Sequence, residues 1–339
     1  MGPRNKPADL ERTALMKSIF SEIQSLYDAG VPFFTKENIR RVGEELDHFR
    51  RGERENGAKI TMPGVNGLDY EVLVQPLVSM PPSPNQIFDG EKWTIHYKTV
   101  RLLATFWHPD IRTYDPQSAY GPMKISAVIR ILDNYDPSLY EKPPVPPAED
   151  FSIYQALEQE WKMTQHYAQL EEILTNIEIP FTLTKVIAVA LGPFTIKSQI
   201  TRHSFIQHAF VSTIHSILVR RGTLPASAEK YVQDPAYSSR CKDLIQSVGF
   251  TIIDDPRAWL DMDESSVLVS INADITVEDI VADLCRPGII IWTDETECPD
   301  PRFNSRAAKM IENEYSRIRL PHNEDFGPVD MALLIRKPT

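Results

Sequence analysis

Short apolar runs alternate with helix-periodic segments through the second half of the chain, and this alternation limits the fold more than any other feature. Residues 185–191 (KVIAVAL) run into Gly192, and a segment over 197–221 follows with Ile206, Phe210, Ile214, Ile217 and Leu218 on one face. The pattern then predicts a strand at 230–233, a helix over 237–248 and strands at 250–253 and 267–271. A helix over 277–284, a strand at 288–292, a helix over 304–318 and a last strand at 329–335 complete it. Buried strands joined by helices predict an α/β fold, a Rossmann-like, doubly wound and mainly parallel sheet. Ligands of such sheets bind beyond the carboxyl ends of the strands.

The first half carries a weaker pattern. Helices are expected over 10–27, with Leu15, Ile19, Ile23 and Leu26 on one face, and over 36–54, started by Thr35. Segments 70–78, 93–97 and 100–106 read as strand-like or irregular. Sixteen of the 27 prolines fall in the first 150 residues, and the run Pro143-Pro144-Val145-Pro146-Pro147 reads as a stiff connector, because proline fixes φ and donates no hydrogen bond. The expected organisation is a helical and irregular α+β extension over 1–142, a linker over 143–150 and the Rossmann-like domain over 151–339, opening with one helix over 151–174.

With 42% hydrophobic and 24% charged residues the chain has the makeup of an ordinary globular protein. No run approaches the roughly 18 apolar residues of a membrane span, and the first residues lack the apolar core of a signal peptide, so a cytoplasmic protein with no membrane contact is expected. Cys241, Cys285 and Cys298 show no CxxC spacing, so reduced thiols and no metal site are expected. A net charge of −11 argues against a protein that coats DNA by charge. Residues 254–300 hold 13 acids and 2 bases, either a solvated face or a docking surface for a cation.

Residues just past the predicted strands are the candidates for chemistry. Gly192-Pro193-Phe194-Thr195 could offer N–H groups to an anion or be a tight strand-to-helix turn, but it holds one glycine where a dinucleotide loop has three. Asp234 stands where Rossmann-type folds place an acid against a ribose, and with Pro235 it equally makes a turn. Asp254-Asp255 and Asn272–Asp274 end two further strands. Asp294, Glu295 and Glu297 crowd the end of the strand at 288–292, where a substrate ammonium or guanidinium, a shared proton or plain solvation would relieve their repulsion. His203, His208 and His215 share a helix with Ser204 and Ser212 four residues either side of His208, a spacing that suits packing or a serine–histidine contact. Arg40, Arg41, Arg50, Arg51 and Arg54 form the one cationic feature of the first half, either a phosphate-backbone contact or a salt-bridged helix with pairs such as Glu37 with Arg41 and Asp47 with Arg51.

The run from Lys185 to Glu297, with Leu191-Gly192-Pro193-Phe194, Gln207-His208-Ala209, Tyr231 through Asp234-Pro235-Ala236-Tyr237, Leu244 and Gly249-Phe250, resembles the Sensitivity-to-Red-light-Reduced-like domain. The closing segment, Leu320-Pro321 through Phe326 to Lys337, is similar to fungal members with that domain. Some of those resemble arginine-containing cyclodipeptide synthases, which join aminoacyl groups from charged tRNAs and carry a DDxxE motif. Thr293-Asp294-Glu295-Thr296-Glu297 matches its second aspartate and its glutamate, with threonine in the first place.

The resemblance implies Asp294 and Glu297 as catalytic residues and Gly192, Pro193, Phe194, Thr195, Gln207, Asp234, Asn272 and Glu295 around the substrate. An acyl-enzyme, if formed, would need a hydroxyl such as Thr195, Ser198 or Ser204. Arginyl-tRNA and a second aminoacyl-tRNA would be the partners, met by the arginines at 40, 41, 50, 51 and 54. No cofactor is required, because the aminoacyl ester arrives activated. Two other readings stand beside this one: a non-catalytic regulatory protein with a Rossmann-like domain, and an S-adenosylmethionine-dependent methyltransferase with Asp234 on the ribose.

Overall fold

The structure is a computed structural model that describes residues 7–74, 86–100, 103, 116–133, 147–196, 199–200, 202–294, 306–326 and 330–338. By packing, the chain divides into two units. One comprises 1–81, 90–130 and 278–284, the other 82–89, 131–277 and 285–339.

The first unit opens with helices α1 (Pro7–Asp28) and α2 (Lys36–Arg50). The Thr35 side chain accepts the Asn38 N–H at 3.1 Å and so starts α2 where the sequence predicts. Strands β1 (Lys59–Pro63) and β2 (Asp69–Leu73) form an antiparallel pair, and β3 (Gln86–Tyr97) pairs with β4 (Met123–Asp133). Val100 and Leu103 are helical, with the Leu103 N–H on the Thr99 carbonyl, where strand or irregular chain is expected. Two of the acids counted in the acidic stretch serve this unit. Asp283 accepts the N–H groups of Phe33 and Phe34, and Asp279 that of Val100.

In the second unit, helix α3 (Pro147–Lys162) begins inside the predicted connector, so Pro147–Asp150 are already helical; residues 143–146 lie outside the described residues. The single helix expected over 151–174 is two. Thr164 ends α3 by donating its hydroxyl to the Trp161 carbonyl at 2.7 Å, and it starts α4 (Gln165–Asn176) by accepting the Tyr167 N–H. A short threonine that can cap two helix ends outweighs an uninterrupted apolar period.

The sheet follows. Its strands are β5 (Lys185–Val189), β8 (Lys230–Gln233), β9 (Thr251–Ile252), β10 (Ser266–Ser270), β11 (Ile289–Thr293), β12 (Tyr315–Leu320) and β13 (Met331–Arg336), in the spatial order β12-β13-β11-β10-β5-β8-β9. β9, β8, β5, β10 and β11 run parallel, and β13 is antiparallel to both β11 and β12. The expected Rossmann-like, mainly parallel sheet is therefore what the chain forms. Counted from the first strand of the sheet, the order is 3-2-1-4-5-7-6, so the winding reverses between β5 and β10 and opens a crevice beyond their carboxyl ends.

Two local expectations give way to the fold. The helix predicted over 304–318 stops at Glu314, as α9 (Arg306–Glu314), because Tyr315–Leu320 pairs along the whole length of β13 and buries Tyr315 and Leu320. The helix predicted from 197 starts five residues later as α5 (Arg202–Arg220), behind a hairpin of β6 (Thr195–Ile196) and β7 (Gln199–Ile200). Nor does α5 show a single buried face. Ser204 to Ile214 are all buried, because α3, α4 and the turn at Glu324–Phe326 enclose the helix on the sides the sheet leaves open. Shorter helices α6 (Ser239–Ser247), α7 (Arg257–Asp261) and α8 (Val277–Leu284) complete the crossovers.

Candidate functional site

The crevice is built from the ends of four parallel strands. β5 and β10 lie side by side with Ala188 beside Val269, and β10 and β11 with Ser270 beside Trp292. Two non-glycine residues past neighbouring strand ends hold left-handed backbone, Ala190 at φ 57° and Asn272 at φ 49°. Alanine pays roughly 1–2 kcal/mol for that conformation, a cost that folds retain at functional turns.

Gly192 continues the turn at φ 75°, and a Cβ there would stand 2.7 Å from the Ser204 hydroxyl oxygen. Its N–H donates to Asp234 Oδ2 at 2.8 Å, while Asp234 Oδ1 accepts the Ala236 N–H at 2.7 Å. Asp234 therefore clamps the turn after β5 to the turn after β8, and the loop's first N–H is spent on it. Pro193 has no N–H to offer. Gly192→Ala is expected to destabilise the protein by about 1–2 kcal/mol through the positive φ and the crowded Ser204, measured as a lowered denaturant midpoint.

Phe194 is fully buried and stacks on Phe205 and His208, so it belongs to the core. Gln207 is likewise buried on α5. The Thr195 side chain, Ser198, Glu295 and Glu297 lie outside the described residues. Asn272 is exposed, and its N–H donates to the Thr293 hydroxyl at 2.8 Å, which joins the end of β10 to the end of β11.

Asp294 follows directly. Its side chain is 4% exposed and ion-paired with Arg317 of β12, and its N–H donates to the Asp330 carbonyl at 2.7 Å. Thus Gly192 and Asp234 form one linked group beyond β5 and β8, and Asn272, Thr293 and Asp294 form another beyond β10 and β11.

The histidines of α5 hold the core and its edges. His208 is fully buried, Nδ1–H donates to the Ser204 carbonyl at 2.7 Å, and Nε2 accepts the Tyr237 hydroxyl at 2.9 Å. Both nitrogens are satisfied by a neutral ring, and burial pushes its pKa down to about 4. The serine contact is thus to the Ser204 backbone. His203 meets the Asp325 carbonyl and His215 the Ala228 carbonyl.

The five arginines between 40 and 54 each have an acid. Arg40 meets Glu37, Arg41 reaches Asp69 on β2, Arg50 meets Asp47, Arg51 meets Glu53 and Arg54 meets Glu45. In place of the expected pairs, Glu37 with Arg41 and Asp47 with Arg51, Glu37 meets Arg40 and Asp47 meets Arg50, while Arg41 bonds across to Asp69 and Arg51 to Glu53 two residues on. Part of the acidic stretch is internally paired, while Asp254, Glu264 and Asp274 are exposed. Asp255 accepts from Gln233 at 3.1 Å and Asp263 from Lys185 at 2.7 Å. Arg317, Gln233 and Tyr237 are the site residues that residue type and spacing missed. Gln233 and Tyr237 flank Asp234, so proximity to the strand end was their available signal.

Residues 170–326 match the family model of the SRR1 domain. The chain contains an SRR1-like domain. That domain spans α5, the parallel strands and the crevice described above. A solved SAM-dependent O-methyltransferase from Thermotoga maritima is similar at 12% identity, over 84% of this chain and 95% of its own, with a TM-score of 0.25. A search of curated proteins finds no match. Among the described residues no helix is long and apolar enough to cross a membrane, and no group of three or more His, Cys, Asp or Glu is placed to hold a metal ion.

Proposed function

We propose that the crevice of the SRR1-like domain receives a ligand bearing a guanidinium or ammonium group, and that the chain is a cytoplasmic, fungal-type synthase of arginine-containing cyclic dipeptides. The observation that carries the reading is Asp294, a strand-end carboxylate, 4% exposed, that already holds the guanidinium of Arg317. A substrate arginine would offer the same planar fork in its place.

The chemistry needs little else. The α-amine of one aminoacyl ester attacks the carbonyl of the other, an amide forms, and one tRNA leaves as its ribose hydroxyl. The freed amine then attacks the remaining ester, closes the ring and releases the second tRNA. Each attack gives up one proton, which Asp294 or Glu297 would pass to the departing ribose oxygen. The esters carry the activation, which accords with a Gly192 turn whose N–H is spent on Asp234. The same clamp leaves the ribose role of Asp234 in a methyltransferase less supported. Contact with tRNA falls to the arginines at 40, 41, 50, 51 and 54, where phosphates would replace their present carboxylates.

Expression in a host with ordinary charged tRNAs, followed by mass spectrometry for arginine-containing cyclic dipeptides, tests the proposal. Product is expected from the wild type and loss of it from Asp294→Asn and Glu297→Gln; no product from folded wild-type protein defeats the synthase reading. A non-catalytic binding module is the second reading. It is favoured by one specific observation: Asp234, Gln233 and His208 all spend their polar atoms on partners within the chain.

A further inference from the structure

One face of the β3–β4 pair gathers basic residues. Trp93, Ile95 and Tyr97 of β3 and Met123 and Ile125 of β4 are buried on one side. By strand alternation Thr94 and His96 of β3, Lys98 just beyond it, and Lys124 and Ser126 of β4 belong to the other. The two segments are joined beside these residues by the Lys98 N–H on the Pro122 carbonyl at 2.9 Å.

His96, Lys98 and Lys124 are close enough to repel one another. Burial and then the charge of Lys124 push the Lys98 ammonium down to about 8, and burial followed by both lysines pushes His96 down. The Lys98 ammonium donates to the Ser118 carbonyl at 3.1 Å. Among the described residues no carboxylate pairs with His96 or Lys124, whereas each arginine of the α2 cluster has one. A second, independent sign is the Ser126 hydroxyl, fully buried on this face with no hydrogen-bond partner. A buried unpartnered hydroxyl costs roughly 1–3 kcal/mol, and like charges brought together add to that.

We propose that this face binds a phosphate group, held by His96, Lys98 and Lys124 with Ser126 donating its hydroxyl. One anion of high charge answers all these groups at once. Two ammonium groups, an imidazole N–H and a hydroxyl match the oxygens of a phosphate, while a carboxylate has two oxygens to offer. The site is independent of the reaction proposed for the crevice, and either assignment stands if the other fails.

Isothermal titration of the full chain in low-salt buffer tests it with two probes, inorganic phosphate and a short single-stranded RNA without terminal phosphates. Saturable binding of at least one probe is expected. Lys124→Gln and His96→Gln should each weaken it by about tenfold, as the loss of a charge-assisted hydrogen bond would. Ser126→Ala should weaken it less, and Lys59→Gln, which changes an exposed lysine beside Glu71, should leave it unchanged. Phosphate bound alone identifies a small phosphate compound as the ligand, and tight RNA binding with the same dependence on Lys124 identifies a phosphodiester backbone. No binding of either probe, or equal binding by Lys124→Gln that unfolds like the wild type in phosphate-free buffer, overturns the site.

Discussion

Arg317→Leu is expected to lower stability by about 3 kcal/mol, the range measured when one partner of a buried ion pair is removed. The argument rests on the asymmetry of the pair. Asp294 is 4% exposed and Arg317 30%, so deleting the cation strands a carboxylate that water barely reaches. Its own backbone is fixed by the N–H bond to Asp330, so the chain cannot simply swing the acid outward. Denaturant unfolding measures the loss, and adding Asp294→Asn to Arg317→Leu should recover most of it, since a neutral amide costs far less to bury. A loss below about 0.5 kcal/mol would mean that the pair behaves as an ordinary screened surface contact. The same reasoning explains why asparagine is the better replacement in the product assay. It keeps the shape around Arg317, so lost product is not confused with lost fold.

Stability should also fall by about 3 kcal/mol as pH is lowered from 6.5 towards 4, with His208 the main source. The unfolded ring takes a proton near pH 6.5, whereas burial holds the folded ring neutral down to about 4. The folded form is therefore fully favoured above the unfolded value, and the advantage drains away through the window between the two. Protonation would put a second N–H where Nε2 now accepts the Tyr237 hydroxyl, a hydroxyl itself kept protonated because burial raises its pKa well above the usual value. His215 and His96 are shifted downward too, by burial first, so the wild type alone does not isolate the effect. Comparison with His208→Gln does. Unfolding free energies at pH 7, 6 and 5 should converge as the pH drops, and parallel slopes would remove His208 as the cause.

The doubly wound sheet was legible because six short apolar runs with helical segments between them admit few arrangements. The helix expected from about 277 to 284 forms over Val277–Leu284, since an acidic first turn and a following Pro287 bracket it. Legibility failed where partners decide. Tyr315–Leu320 can extend a helix by local preference, and only the open edge of β13 turns it into a strand. Thr164 looks like one polar residue in a long helical period until its hydroxyl is seen to cap both sides of a break.

At the candidate site, strand-end logic found Gly192, Asp234, Asn272 and Asp294, because the end of a parallel strand is a place in the sequence. It could not find that Asp234 binds Gly192 or that Asp294 holds Arg317, which are matters of direction. Phe194, which the resemblance placed by the substrate, carries its ring into the core for the same reason.

The pairing of Asp294 with Arg317 has a kinetic side. Arg317 sits two strands away in the same sheet, so it faces the carboxylate at an effective concentration that a small solute does not match. Free arginine in solution would be a poor rival for that position. A guanidinium presented on a large carrier, anchored elsewhere on the protein by many contacts of its own, arrives on equal terms because it too is tethered. Such a built-in competitor would filter ligands by how they are delivered, rejecting the loose amino acid while admitting the same side chain on its tRNA.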